Sequence, residues 1–113
     1  MKLNTITQKR SVAMKLTYAI LRDERYNYKF GTAQSLAWKV LNLIMKMKKG
    51  VVEFFFLKGK NQDEVRESVG TLSSKFFNYD FKGNSNQSLK SISFFDMQKQ
   101  AWRSFSPASL IAN

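Results

Sequence analysis

Apolar positions repeat along this chain with two different periods, and the change falls at Gly50. From about Lys9 to Arg25, the residues Val12, Leu16, Ala19 and Ile20 fall on one arc of a 3.6-residue wheel and predict an amphipathic helix. Thr7 stands where an N-cap hydroxyl belongs. Asp23 and Glu24 mark the other end, since carboxylates are disfavoured beside the negative end of a helix dipole. Arg25 to Gly31 interleaves aromatic rings with cations and closes on a glycine, which reads as a connection. Thr32 is then expected to cap a second helix, whose apolar residues Leu36, Ala37, Val40, Leu41, Leu43, Ile44 and Met47 cover more than half of its circumference. One neighbour cannot bury so wide an arc, so this helix is expected between the first and a further layer. Lys46, Lys48 and Lys49 in its last turn and Gly50 just beyond fit a helix C-terminus with a left-handed glycine.

Past Gly50 the period shortens. Val51 to Lys58 is β-branched and aromatic and reads as a central strand. Gly59 to Gln62 is a polar turn, and Asp63 to Leu72, with Val65, Val69 and Leu72 between charged residues, is the partner strand. Ser73 to Phe81 continues as a third short strand, and Lys82 to Ser88 is the strongest loop signal in the chain. Leu89 to Asp96 and Ala101 to Phe105 are two further strands joined by a hairpin connection of Met97 to Gln100, and Pro107 opens a single helical turn that runs through Leu110. The expected fold is α+β: an N-terminal helical hairpin (1–50) packed on a small antiparallel SH3-like β-barrel (51–113). No linker separates the halves at Gly50-Val51, so residues 1–113 are expected to form a single domain with one shared core.

Composition narrows the chemistry. With 43% hydrophobic and 14% aromatic residues the chain has ample material for a packed interior. It has no histidine and no cysteine, which removes imidazole bases, thiolate nucleophiles, disulfides and the usual zinc ligands. The eight carboxylates are scattered, and no phosphate loop or nucleophile elbow occurs, so the expectation is a protein that is not an enzyme, with no cofactor, no metal and no catalytic residue. The N-terminus lacks a signal-peptide apolar run and no segment is long enough to span a bilayer, so a cytoplasmic protein without a membrane partner is expected.

The net charge is +11, and it is uneven: residues 1–50 hold eleven cations against Asp23 and Glu24, and residues 51–113 hold eight against six acids. Such a field attracts nucleic acid, anionic lipid or an acidic protein, with nucleic acid, DNA or RNA, the leading candidate. On the first helix Gln8, Ser11, Lys15, Tyr18 and Arg22 form one polar stripe, and on the second Ser35, Lys39, Asn42, Lys46 and Lys49 form another. Cations two turns apart stand about 10 Å from each other, a spacing that suits separate phosphates. Any amphipathic helix needs a solvated face, but such faces usually mix charges, whereas the second helix carries no acid at all. Arg25 joins these cations, and Tyr26 and Tyr28 beside it are candidates for stacking on bases or, alternatively, for covering the core. Lys58, Lys60, Arg66 and Arg103 would extend the basic surface onto the sheet. Trp102 is read as a core or inter-half packing residue, and Phe55 as the phenylalanine of Phe54-Phe55-Phe56 that faces outward to meet the helices, a partner subunit or a ligand, docking by the second helix being the economical answer.

The run Phe94-Phe95-Asp96-Met97-Gln98-Lys99-Gln100-Ala101-Trp102-Arg103-Ser104-Phe105, followed by Leu110-Ile111, resembles the C-terminal signature of a family of small SH3-like, Sm-like barrels related to WYL domains and found in phages and genomes of gut Bacteroidales. Lys48 to Phe54, Gly70-Thr71-Leu72 and Arg10-Ser11 resemble it as well, so the likeness covers most of the chain. The resemblance implies a barrel and a viral origin, with host cytoplasm or virion as the location, and brings no catalytic residues. WYL-type barrels are associated with nucleic-acid or ligand sensing in regulators, and this chain departs from them in having no evident winged helix-turn-helix. The expected function is non-enzymatic nucleic-acid binding through phosphate contacts, with little sequence specificity. Two alternatives stay open: a protein-interaction module, as a virion component or an inhibitor of a host factor, and a sponge for small anionic nucleotides. Oligomeric state is not legible.

Overall fold

The computed structural model describes residues 5–59, 61–73, 75 and 89–111. Helix α1 spans Ile6–Leu21 and helix α2 spans Phe30–Lys49; strands follow at Val51–Lys58 (β1), Glu64–Thr71 (β2), Ile92–Asp96 (β3) and Ala101–Phe105 (β4), then a 3₁₀ turn at Pro107–Ser109 and a short strand at Leu110–Ile111 (β5). Among the described residues the strands form one antiparallel sheet in the order β4-β3-β2-β1-β5, so β1 is paired on both sides, as its unbroken apolar run predicts. Two helices followed by this sheet make the α+β helical hairpin and small SH3-like barrel expected from the pattern.

Helix α1 begins earlier and ends earlier than its periodicity suggests. Thr5, not Thr7, is the N-cap: its hydroxyl accepts from the Gln8 N–H at 3.1 Å, and the Gln8 side chain accepts from the Thr5 N–H at 3.1 Å. This capping box needs a glutamine three residues after the threonine, and only Thr5 has one. Ala13, Leu16, Thr17 and Ile20 form the buried face, with the Thr17 hydroxyl satisfied by donating to the Ala13 carbonyl at 2.8 Å. Val12 and Ala19 stand at its margin, half-buried.

Helix α2 starts at Phe30 with Lys29 as N-cap, so Thr32 lies inside the helix rather than capping it. All seven of the apolar residues expected to be buried on it are buried, and Ala33 joins them. Gly50 ends the helix in an extended conformation with φ −180°, not the left-handed one, and donates its N–H to the Lys46 carbonyl at 3.1 Å. The Met47 and Gly50 carbonyls are met from the end of β2. The Leu72 N–H donates to Met47 O at 2.9 Å, and the buried Thr71 hydroxyl stands 2.8 Å from Gly50 O and 3.2 Å from Met47 O.

One core joins the two halves. Leu16, Ile20, Val40, Leu41 and Met47 from the helices meet Phe54, Phe56, Ile92, Phe94, Phe105 and Leu110 from the sheet. Phe54 packs edge-on against Phe94 with ring centroids 5.0 Å apart, and the 3₁₀ turn touches both helices. Phe55 points the other way and is half-buried; α2 docks on the Phe54 and Phe56 face instead, so the expected cover over Phe55 is wrong. In β2 the inward positions are Ser68 and Gly70, while Val65 is 63% exposed. The apolar alternation there marked the outer face, because the phenylalanines opposite fill the space and leave room only for small residues. The third strand and the loop expected over 73–88 lie outside the described residues apart from Ser73 and Lys75, and β3 begins at Ile92 rather than Leu89. No described helix is long and apolar enough to cross a membrane.

Candidate nucleic-acid interface

Each helix buries one side and turns its cations to the other. On α1, Ser11, Lys15, Tyr18 and Arg22 are exposed and Gln8 is half-exposed; on α2, Ser35, Lys39, Asn42, Lys46 and Lys49 are all exposed. The α2 stripe therefore presents three ammonium groups along a face with no carboxylate on the helix to neutralise them. Lys39, Lys46 and Lys49 are not among the residues that line the cleft beside α1.

Those of α1 gather round a cleft of about 730 Å³. It is lined by Lys15, Tyr18, Ala19 and Arg22 of α1 and its cap, by Asp23, Glu24 and Arg25 of the connection to α2, and by Leu89, Lys90 and Pro107 from the second half of the chain. Lys15, Arg22 and Arg25 are thus brought together, and Lys90 is added to them from a distant part of the chain. Sequence reasoning missed Lys90, since nothing local in Leu89-Lys90 indicates a neighbour some seventy residues earlier.

Arg25 is the most firmly placed of the predicted cations. Its Nε and Nη2 donate to the two carboxylate oxygens of Asp23 at 2.9 and 2.7 Å, and Nη2 also donates to the Ser106 hydroxyl at 2.9 Å. These hydrogen bonds hold the Asp23 carboxyl below its usual range and push the Arg25 guanidinium higher still. Much of the Arg25 charge is therefore matched within the chain, and its role at the cleft is to fix the α1–α2 connection against the barrel. Arg25 also borders a second cavity of about 340 Å³, where Lys58, Gln62, Ser91, Ser104 and Ser109 meet the ends of β1 and β4.

Tyr26 and Tyr28 stack on each other, with centroids 5.4 Å apart and planes 4° from parallel, and both pack against the core. Their hydroxyls donate to Gln62 Oε1 at 2.6 Å and to the Ala108 carbonyl at 3.3 Å, and burial pushes the Tyr26 phenol up. The alternative in which these rings cover the core describes them. A different aromatic pair is open: Tyr18 and Phe30, each 46% exposed, meet edge-on at 6.3 Å.

On the sheet the predicted basic extension breaks up. Arg103 Nε lies 3.5 Å from Asp96 Oδ2, a carboxylate only 1% exposed whose Oδ1 accepts from the N–H groups of Gln98 and Lys99 in the β3–β4 turn. Arg103 thus neutralises a buried charge, as a lone buried carboxylate would otherwise be costly. Trp102 is half-buried and edge-on to Phe95 at 5.8 Å, outside the shared core. Lys58 stands 3.8 Å from Glu64, Arg66 is half-buried opposite Phe56, and Lys60 lies outside the described residues.

Residues 40–111 match a protein-family model described as WYL_2, Sm-like SH3 beta-barrel fold. The match takes in the barrel and the C-terminal part of α2, with Lys46 and Lys49, and leaves out α1 and the cleft wall it provides. No curated protein and no solved structure matches the chain.

Proposed function

The chain belongs to the WYL_2 family of the Sm-like SH3 β-barrel fold, and on that premise we propose that it is a non-enzymatic nucleic-acid-binding protein that engages DNA or RNA through phosphate contacts, with little sequence specificity. The observation that carries this reading is the α2 face. Five successive stripe positions are exposed, three of them lysines, on a helix without an acid and anchored by a face buried along its whole length. A merely solvated face gains nothing from excluding carboxylates, whereas a phosphate-binding face does. The phage setting implied by the resemblance belongs to the same proposal, as a context in which a small sequence-tolerant binder is useful.

Binding measured in parallel to duplex DNA, single-stranded DNA and RNA at rising salt tests it. Affinity should fall steeply and linearly on log-log axes, and Lys39→Glu with Lys46→Glu and Lys49→Glu should weaken binding to every sequence alike. Affinity that is undetectable at low salt, or that survives the triple reversal, overturns the reading. Stabilisation by a mononucleotide and not by a polynucleotide would assign the cleft to a small ligand instead.

A further inference from the structure

We propose that Tyr18 and Phe30 form a base-stacking platform beside the α1 cleft, which makes an unpaired strand, DNA or RNA, the preferred ligand of this surface; the inference rests on the nucleic-acid reading above. Large aromatic rings are usually spent on burial, yet each of these two is 46% exposed. Their planes meet at 64°, so the contact takes an edge of one ring and leaves ring face open to a ligand. Tyr26 and Tyr28 show the contrast, since their parallel stack and core packing use the faces up. Met14, 40% exposed and one turn before Tyr18, lengthens the apolar patch along α1.

The surroundings select the occupant by charge. Tyr18 lies on the stripe between Lys15 and Arg22, which stand two turns apart, about 10 Å along the axis. A base stacked on Tyr18 would have a phosphate on either side of it, within reach of these two side chains. Lys29 precedes Phe30, and Lys90 lines the same cleft as Arg22. Of the two cleft acids, Asp23 is occupied by Arg25, and Glu24 lies at the end beyond Arg22. An acidic amphipathic peptide would satisfy the same charges, but a ring set between two long cationic side chains on one helical stripe is arranged to take a base together with the phosphates that flank it. In a duplex the base faces are already stacked on each other, so only an unpaired strand can use the rings.

Fluorescence anisotropy with a labelled oligothymidine and a labelled duplex of equal length tests this at low salt. Tyr18→Ala should weaken oligothymidine binding about tenfold and duplex binding by about twofold at most, since stacking on one aromatic ring contributes that much per base. Phe30→Ala should act in the same direction, and Tyr18→Phe should restore most of the affinity, which a disrupted helix would not allow. Equal losses on both ligands, or none in either alanine variant, overturn the platform; the second result together with retained lysine dependence leaves the nucleic-acid reading standing and gives the patch to a protein partner. If the unsubstituted protein binds neither ligand, the underlying reading fails with it.

Discussion

A methyl group added at Gly70 would stand 2.6 Å from Cδ2 of Phe94 and 3.1 Å from Cε1 of Phe54, two rings in the middle of the core. Neither ring can retreat without disturbing the others, because Phe94 is fully buried and also meets Phe56 and Phe105. Gly70→Ala should therefore cost about 2 kcal/mol through overpacking, read as a lower urea midpoint; an unchanged midpoint would show that the ring cluster has slack. On the other face of the same strand pair, Glu67 and Glu53 are diagonal neighbours, with Phe55 and Val69 as their register partners. A hydrogen bond to Glu53 and its negative charge raise the Glu67 carboxyl above its ordinary 4.5. The folded chain then holds this proton to higher pH than the unfolded chain does, so the associated stabilisation is complete below the unfolded value and is lost as pH rises through the folded one. Glu67→Gln should raise the Tm at neutral pH, and the gain should vanish in acid, where Glu67 is protonated in both states. A gain of equal size in acid would point to something other than charge repulsion.

Among the elements, α2 depends on β2 for its C-terminal cap. The Thr71 hydroxyl and the Leu72 N–H supply donors to Met47 and Gly50 carbonyls that the helix leaves open. Thr71→Val keeps the shape of the side chain and removes the hydroxyl, so it should cost about 1–2 kcal/mol and speed amide exchange at Leu72, whose acceptor is then less firmly held. Loss of stability without faster exchange there would place the cost elsewhere. The helices also show what periodicity can and cannot convey. The buried set of α2 was legible because its arc is wide and every member apolar. The start of α1 was less so, because Thr5 and Thr7 compete and the decision rests on Gln8. For β2 the alternation pointed to the wrong face: Val65 is exposed, and Ser68 and Gly70 face inward because large rings on β1 and β3 already fill the interior.

At the scale of the whole molecule three groups of cations stand out among the described residues. Lys39, Lys46 and Lys49 stand on α2 without a carboxylate on that helix; Lys15, Arg22 and Arg25 share a cleft with Lys90; and Arg103 is matched to Asp96. If each lysine of the α2 stripe meets one phosphate, Lys39→Gln with Lys46→Gln and Lys49→Gln should reduce the slope of log affinity against log salt by about 3 on duplex DNA. An unchanged slope with affinity retained would count against phosphate contacts on α2 and so against the nucleic-acid reading that rests on them. Arg103→Gln on the sheet should instead act on stability before binding, because removing the guanidinium leaves the Asp96 charge buried.

The sequence by itself determined the order of helices and strands, the barrel, the buried arc of α2 and the two exposed cationic stripes. These follow from local periodicity, turn chemistry and the distribution of charge, which a linear chain carries in full. Which cations are matched within the chain, which rings are open and where a cleft lies were decided only by tertiary structure. Those properties depend on residues far apart in the chain: Asp96 answering Arg103, Ala108 and Gln62 holding Tyr28 and Tyr26, and Lys90 with Pro107 closing a cleft against Lys15 and Arg22. A charge or a ring is available to a ligand only if no distant residue has claimed it, and contacts of that kind have no signature in the spacing of neighbours.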